Sequence, residues 1–275
     1  MTYENLGGGA LDYYSCRYGK SKLLFRGPRR KLDQPYVAVV GGTETYGKFM
    51  ERPYPALLEA RLGAPFVNLG CVNAGLDVMF NDPAIPEICS GAWLTVLQIT
   101  GAQNMSNRFY SVHPRRNDRF LRASNLLKTI YREVDFSDIN FTRHLLKTLW
   151  EASPDKFTMV EAELKEAWLG RMKGLINRLD GKVVLLWLAD HAPGDARAFA
   201  PDAPDPLFVD AEMLNEVRPM VAGLAEVVVS RAEIEAGRAG LIHDEIDAPA
   251  AQASLGVVAQ ARAAEALEQV LEPLL

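Results

Sequence analysis

The residues best suited to chemistry lie in the polar segment Thr100-Gly-Ala-Gln-Asn-Met-Ser-Asn-Arg108, directly after the apolar run Trp93 to Ile99, and in His113-Pro-Arg-Arg-Asn-Asp-Arg119 beyond it. Arg108, Arg115, Arg116, Arg119 and Arg122 fall within fifteen residues of a chain whose net charge is -5, so the cluster is local. Planar guanidinium forks match the oxygens of phosphate, sulfate or carboxylate in bidentate geometry. With Pro114 at a first helical position, Arg115, Arg119 and Arg122 (i, i+4, i+7) would share a helix face. The expected ligand is a small molecule with an anionic group. The bland alternative is a solvated face paired with Asp118.

A second candidate is the loop Gly41-Gly-Thr-Glu-Thr-Tyr-Gly47 after the run Tyr36 to Val40. Paired glycines let a backbone turn sharply and approach a ligand. Thr43 is the candidate nucleophile, with Gly42 and Glu44 as candidate substrate contacts; alternatively Thr43 or Thr45 merely caps a helix. Neither GxxxxGK[ST] nor GxGxxG is present, so the reaction is expected to need no cofactor. Of the four histidines, His191 follows the apolar run 182–188, and His243 is flanked by Asp244, Glu245 and Asp247. Either is a candidate acid or base. His113 accompanies the arginines, and His144 reads as packing or surface on a helix. No His, Cys, Asp or Glu spacing forms a metal site.

These residues need a scaffold, and the apolar runs describe one. Strands are expected at 36–40, 65–69, 93–99, 182–188 and 226–229, with helices at 54–62, 141–150, 160–179, 210–222 and about 252–271, and a short helix within 71–92. Helical spacing is also read from Phe120 to Ile130. Strand, helix, strand with short connections makes parallel βαβ units. The expected fold is an α/β three-layer sandwich whose five-stranded parallel sheet has the flavodoxin-like order 2-1-3-4-5. About eighty residues separate the third and fourth strands, which reads as a helical insertion at about 105–160. Residues 1–34 read as an irregular arm, with Tyr3, Tyr13, Tyr14 and Tyr18 as anchors, over a single domain at 35–275. In such sheets ligands bind beyond the carboxyl ends of the strands.

Composition narrows the function. An acidic chain with pI near 5.5 is not expected to bind nucleic acid. The three cysteines (Cys16, Cys71, Cys89) lack metal or disulfide spacing. With no secretory leader and no apolar run long enough for a membrane span, the expectation is a cytoplasmic protein.

The blocks Gly-Gly-Thr43, Asn68-Leu-Gly70, Gly101-Ala-Gln-Asn104 and Asp244-x-x-Asp247, each after a strand or before the last helix, resemble the SGNH hydrolase superfamily of GDSL-type esterases and acetyl transferases. The resemblance implies Thr43 in place of the nucleophilic Ser, Gln103 or Asn104 in place of the oxyanion Asn, and Gly70 N–H as a second donor. It puts Asp247 where the family has its His, with His243 one residue before Asp244. The whole chain is also similar to an uncharacterised bacterial domain family that carries the NMSNRFYSVHPRRNDRF stretch.

Three readings follow. The first is an SGNH-like hydrolase or acyl/ester-group transferase in which Thr43 attacks, His243 with Asp244 or His191 assists, and Gln103, Arg108, Arg115, Arg116 and Arg119 hold the substrate. The second is a sulfotransferase-like enzyme using a phosphosulfate donor, which Gly41–Lys48 and Arg116…Ser124 faintly resemble. The third is a non-catalytic protein that binds an anion or a partner on a degenerate hydrolase fold.

Overall fold

The computed structural model describes residues 11–195 and 199–275; Tyr3 lies outside them. The chain runs β1 (Val37–Gly41), α1 (Thr43–Tyr46), α2 (Tyr54–Leu62), β2 (Phe66–Gly70), α3 (Leu76–Asn81), α4 (Ala84–Ser90) and β3 (Leu94–Gln98). There follow β4 (Tyr110–His113), β5 (Arg116–Ala123), α5 (Asn125–Ile130), α6 (Thr142–Ala152), α7 (Pro154–Leu179) and β6 (Val183–Ala189). The last elements are α8 (Ala211–Val217), β7 (Gly223–Val228), α9 (Arg231–Arg238), α10 (Ala248–Gln252) and α11 (Gly256–Leu271).

The main sheet has the order β2-β1-β3-β6-β7 and every pairing in it is parallel. Counting only its own strands, this is the 2-1-3-4-5 order expected from the sequence. Successive side chains on a strand face opposite ways, so a strand covered on both faces must be apolar at every position. Ala38, Val40, Leu97, Leu185 and Trp187 join one core, and Val37, Val39, Val96, Val184 and Leu186 the other. Tyr54 and Leu58 of α2 and Ala259, Ala263 and Leu267 of α11 close the second core. The first is closed by α3, α4, α7 and the segment between β3 and β6.

That segment carries helices α5 and α6 ahead of α7, as the expected helical insertion requires, but it opens on strands. Residues 110–123 form an antiparallel hairpin of β4 and β5 with register shifts at Val112. The helical reading of Arg115, Arg119 and Arg122, and of Phe120 to Ile130, is therefore corrected: α5 starts only at Asn125. Side chains 110, 112, 120 and 123 pack into the first core, a demand that outweighs the helical spacing of the charges. Asn117 fastens the hairpin. Its side chain is fully buried, accepts the N–H groups of Gly75 (3.0 Å) and Val78 (2.9 Å) at the start of α3, and donates to the His113 carbonyl (3.0 Å). A helix start left without an acceptor in its own chain segment is thus capped from the hairpin.

Other boundaries also shift. The segment 71–92 holds two helices, broken at Asp82-Pro83. The helix expected over 210–222 ends at Val217, before Pro219, and its strand begins at Gly223. The last helix starts at Gly256, where φ is +81°, and α10 stands apart from it. Helix α9, unread in the sequence, carries a capping box from Ser230 and Glu233. In the arm, Tyr18 is buried and Tyr13 OH accepts from Phe49 N–H (3.0 Å), whereas Tyr14 is 65% exposed and anchors nothing in the core.

Asn117→Ala is expected to lower the unfolding free energy by about 2–3 kcal/mol, since it strands buried N–H groups. Asn117→Asp, which keeps the acceptor, should recover part of that loss. Urea midpoints of both variants check this.

Candidate functional site

The turn after β1 is built by one side chain. Gln98 Oε1, at the end of β3, accepts from Gly42 N–H (3.1 Å), Thr45 N–H (3.2 Å) and Thr45 Oγ1–H (2.6 Å). A Cβ on Gly41 would stand 2.0 Å from Thr45 Oγ1 and 2.6 Å from Gln98 Oε1, so only glycine allows the turn. Thr45 is buried and Thr43, two residues earlier, is partly exposed at the carboxyl edge of the sheet.

Thr43 Oγ1 accepts the backbone N–H of Asn73 (3.0 Å) and lies 3.4 Å from Asn73 Oδ1. Asn73, just after β2, has φ +57°, a left-handed conformation that asparagine tolerates better than most residues. Its amide nitrogen donates to Asp118 Oδ2 on β5 (3.1 Å). Asp118 Oδ1 is buried without a hydrogen-bond partner, 4.0 Å from Arg116 Nε. Beside this chain of groups lies a cavity of about 300 Å³ lined by Asn73, Tyr46, Arg115, Arg116 and, from the arm, Leu23 and Leu24. The arm is clamped over it by the buried Arg26, which donates to the carbonyls of Gly47 (2.7 Å), Met50 (2.7 Å) and Glu51 (2.9 Å).

The remaining sequence-derived residues do not converge there. Gly70 N–H is taken by Asn68 Oδ1 (2.8 Å), so the donor aimed at Thr43 comes from Asn73 instead. Asn104 Oδ1 accepts from Thr142 (2.7 Å), and the Gln103 amide donates to Asp205 (2.7 Å). Arg108 is committed to carboxylates, those of Glu163 and Glu166 (3.0 Å for the latter), which raise its pKa. Arg119 stacks over Phe141 at 5.1 Å, and Arg122 lies on Ser111. Glu44 faces α11, where Leu255 N–H (3.3 Å) and the Gln260 amide (3.0 Å) meet its carboxyl. His144 is exposed. His113 Nδ1 accepts Arg115 N–H (3.2 Å).

His243 Nδ1 lies 2.8 Å from the Asp244 carbonyl, and its ring meets Phe49 edge-on. The Asp244 carboxylate instead accepts Asp247 N–H (2.9 Å). This loop is fastened to the end of the Thr43 turn by Ile242 N–H on Phe49 O (2.8 Å) and by Lys48 on Asp247 (3.2 Å). His191, paired through Nδ1 with Asp190 (2.8 Å), lines a different cavity. Among the described residues no imidazole hydrogen-bonds to Thr43 and no group of three or more His, Cys, Asp or Glu could hold a metal ion. Arg116 and Ser124 stand at opposite ends of β5, roughly 25 Å apart at strand rise, and Ser124 caps α5; they cannot grip one phosphate.

Sequence reasoning missed Asn73 and Asp118. Asparagine two residues before Gly75, in a loop after a strand, was a usable signal. Nothing local paired it with a residue on the hairpin.

Residues 1–275 match the model of the family described as Domain of unknown function (DUF6473), and the chain belongs to that family. No curated protein matches it. Among solved structures it is similar to an extracellular lipase from Streptomyces rimosus (11% identity, 86% of this chain and 100% of that one, TM-score 0.46). It is also similar to the lipase Lip_vut3 from a goat rumen metagenome (14%, 86% and 97%, TM-score 0.39). A third is a carbohydrate esterase family 2 enzyme with its carbohydrate-binding domain from Corynascus thermopiles (12%, 88% and 69%, TM-score 0.35).

Burial raises the pKa of Glu44. A carboxyl whose folded pKa exceeds its unfolded one contributes most to stability at low pH, and that contribution is lost as pH rises through the folded value. The melting temperature of Glu44→Gln should therefore climb relative to the parent between about pH 4 and pH 8, a trend that paired thermal melts across this range would detect.

Proposed function

We propose that this DUF6473-family chain transfers or hydrolyses the acyl group of a small ester that carries an anionic group, with Thr43 as nucleophile. The observation that carries the reading is the Asn73 N–H held 3.0 Å from Thr43 Oγ1, beside a cavity rimmed by Arg115 and Arg116. That N–H and Asn73 Oδ1 fix the direction of the Thr43 hydroxyl at the carboxyl edge of the sheet, where ligands bind in open α/β sheets.

Thr43 Oγ1 adds to the acyl carbon and its proton passes to His243. Giving Nδ1–H to the Asp244 carbonyl leaves Nε2 as the basic nitrogen, and the loop's ties to residues 48 and 49 keep the ring against Phe49, six residues past Thr43. Collapse expels the alcohol, which takes that proton. Water or an acceptor alcohol then releases the acyl group from Thr43. Asp118 acts through Asn73 as a positioning residue. Arg115, with no side-chain partner among the described residues, and Arg116 hold the anionic group.

A second reading, a non-catalytic site for the same anion, is favoured by one observation: Asn73 is the only side-chain partner of Thr43 among the described residues. Either way the site sits on a chain with no helix long and apolar enough to cross a membrane among the described residues. Cys71 and Cys89 are buried free thiols, both pushed up to about 12 by burial, which suits the reducing cytoplasm.

Turnover of p-nitrophenyl acetate and of a succinate half-ester of p-nitrophenol separates the two. Thr43→Ala should abolish turnover, Thr43→Ser should keep it, and His243→Ala should slow it by about 10²–10⁴. The Arg115→Ala/Arg116→Ala pair should raise KM for the half-ester alone. Anion-dependent stabilisation without turnover would establish the second reading; turnover undiminished in Thr43→Ala would refute the first.

A further inference from the structure

A cavity of about 660 Å³ lies between Glu161 and Lys165 of α7 and residues 191–195 and 203–212, and the acyl-transfer reading leaves it unused. Its volume falls in the range of small-molecule sites. We propose that it is a second binding site, for a ligand that joins a planar ring to an ammonium group.

The apolar wall is aromatic. Phe199 and Phe208 stack with centroids 5.5 Å apart and planes at 22°, and Phe157 backs Phe199 at 4.7 Å. Phe208 takes φ +62°, a left-handed conformation that a bulky residue adopts at a cost. Aromatic faces accept a ring by stacking and a cation through the ring quadrupole.

The polar wall sets the ligand's charge. Asp190 Oδ1 is 2.8 Å from His191 Nδ1, and a carboxylate only accepts; a neutral His191 therefore donates from Nδ1 and offers its lone pair at Nε2. Nε2 has no hydrogen-bond partner among the described residues, and His191 lines the cavity. Lys165 is neutralised by Glu161 (3.2 Å) and Asp210 (3.0 Å). Two further carboxylates line the space: Glu212 has no partner among the described residues, and Asp195 uses one oxygen on Ala192 N–H (3.0 Å). A lone pair and two carboxylates against stacked rings select a hydrogen-bond donor with positive charge over an anion.

Tryptamine and its anionic counterpart indole-3-propionate, titrated at pH 8 by calorimetry and thermal melting, test this. Tryptamine should bind saturably and raise the melting temperature, with indole-3-propionate at least about tenfold weaker. Glu212→Lys, a change at an exposed position, should remove most of that preference, whereas Arg115→Ala/Arg116→Ala should leave tryptamine affinity unchanged. Equal binding of the two probes, binding of neither, or an unchanged preference in Glu212→Lys would overturn the proposal, and none of these outcomes bears on ester turnover at Thr43.

Discussion

The carbonyl of Gln98 is the contact on which the candidate site depends. One buried oxygen at the end of β3 satisfies two backbone N–H groups and a hydroxyl of the turn after β1, and so joins neighbouring strands at the edge where ligands bind in open sheets. A buried N–H without an acceptor costs on the order of 1–3 kcal/mol, so the turn has little freedom to take another path. Asn68 extends the same device from β2, donating to Thr45 O (2.7 Å) while accepting Gly70 N–H. Thr43 and Asn73 meet because the two strands that carry them are locked together by amide side chains below them.

The hairpin follows from a second amide. Asn117 caps α3, and a capped helix N-terminus fixes its capping residue in place as firmly as the reverse. The next residue, Asp118, then falls beside Asn73, and the arginines of the hairpin tip beside the cavity. Asp77 closes the other side: its carboxylate accepts Ser106 N–H (2.8 Å) and pairs with Arg171 of α7. The segment between β3 and β6 is therefore bound to the sheet by directed polar contacts as well as by the core. The loops beyond the sheet separate into two chambers, with the third-strand loop tied by Gln103 and Asn104 to Asp205 and Thr142.

Much of the fold was legible in the chain. Short, mostly apolar runs mark the strands, and all five strands of the parallel sheet were read from them, the last with its start placed three residues late. The hairpin was not, because its arginines imitate helical spacing while the contacts that make it a ribbon are made to residues about 40 positions earlier. Asn73 and Asp118 were hidden for the same reason, as was the separation of His191 from Thr43.

By itself, the sequence determined the α/β class, the sheet order and the place of Thr43 in the turn after the first strand. Periodicity and chain connectivity are local properties, and handedness constrains what they allow. Only the tertiary structure decided which donors and carboxylates surround Thr43, which arginines are already spent on Glu163, Glu166 and Phe141, and that His191 lines a cavity apart from the one beside Asn73. Those outcomes depend on side-chain hydrogen bonds between distant segments. Such bonds have no period in the sequence, and they form only after the core has fixed where each segment lies.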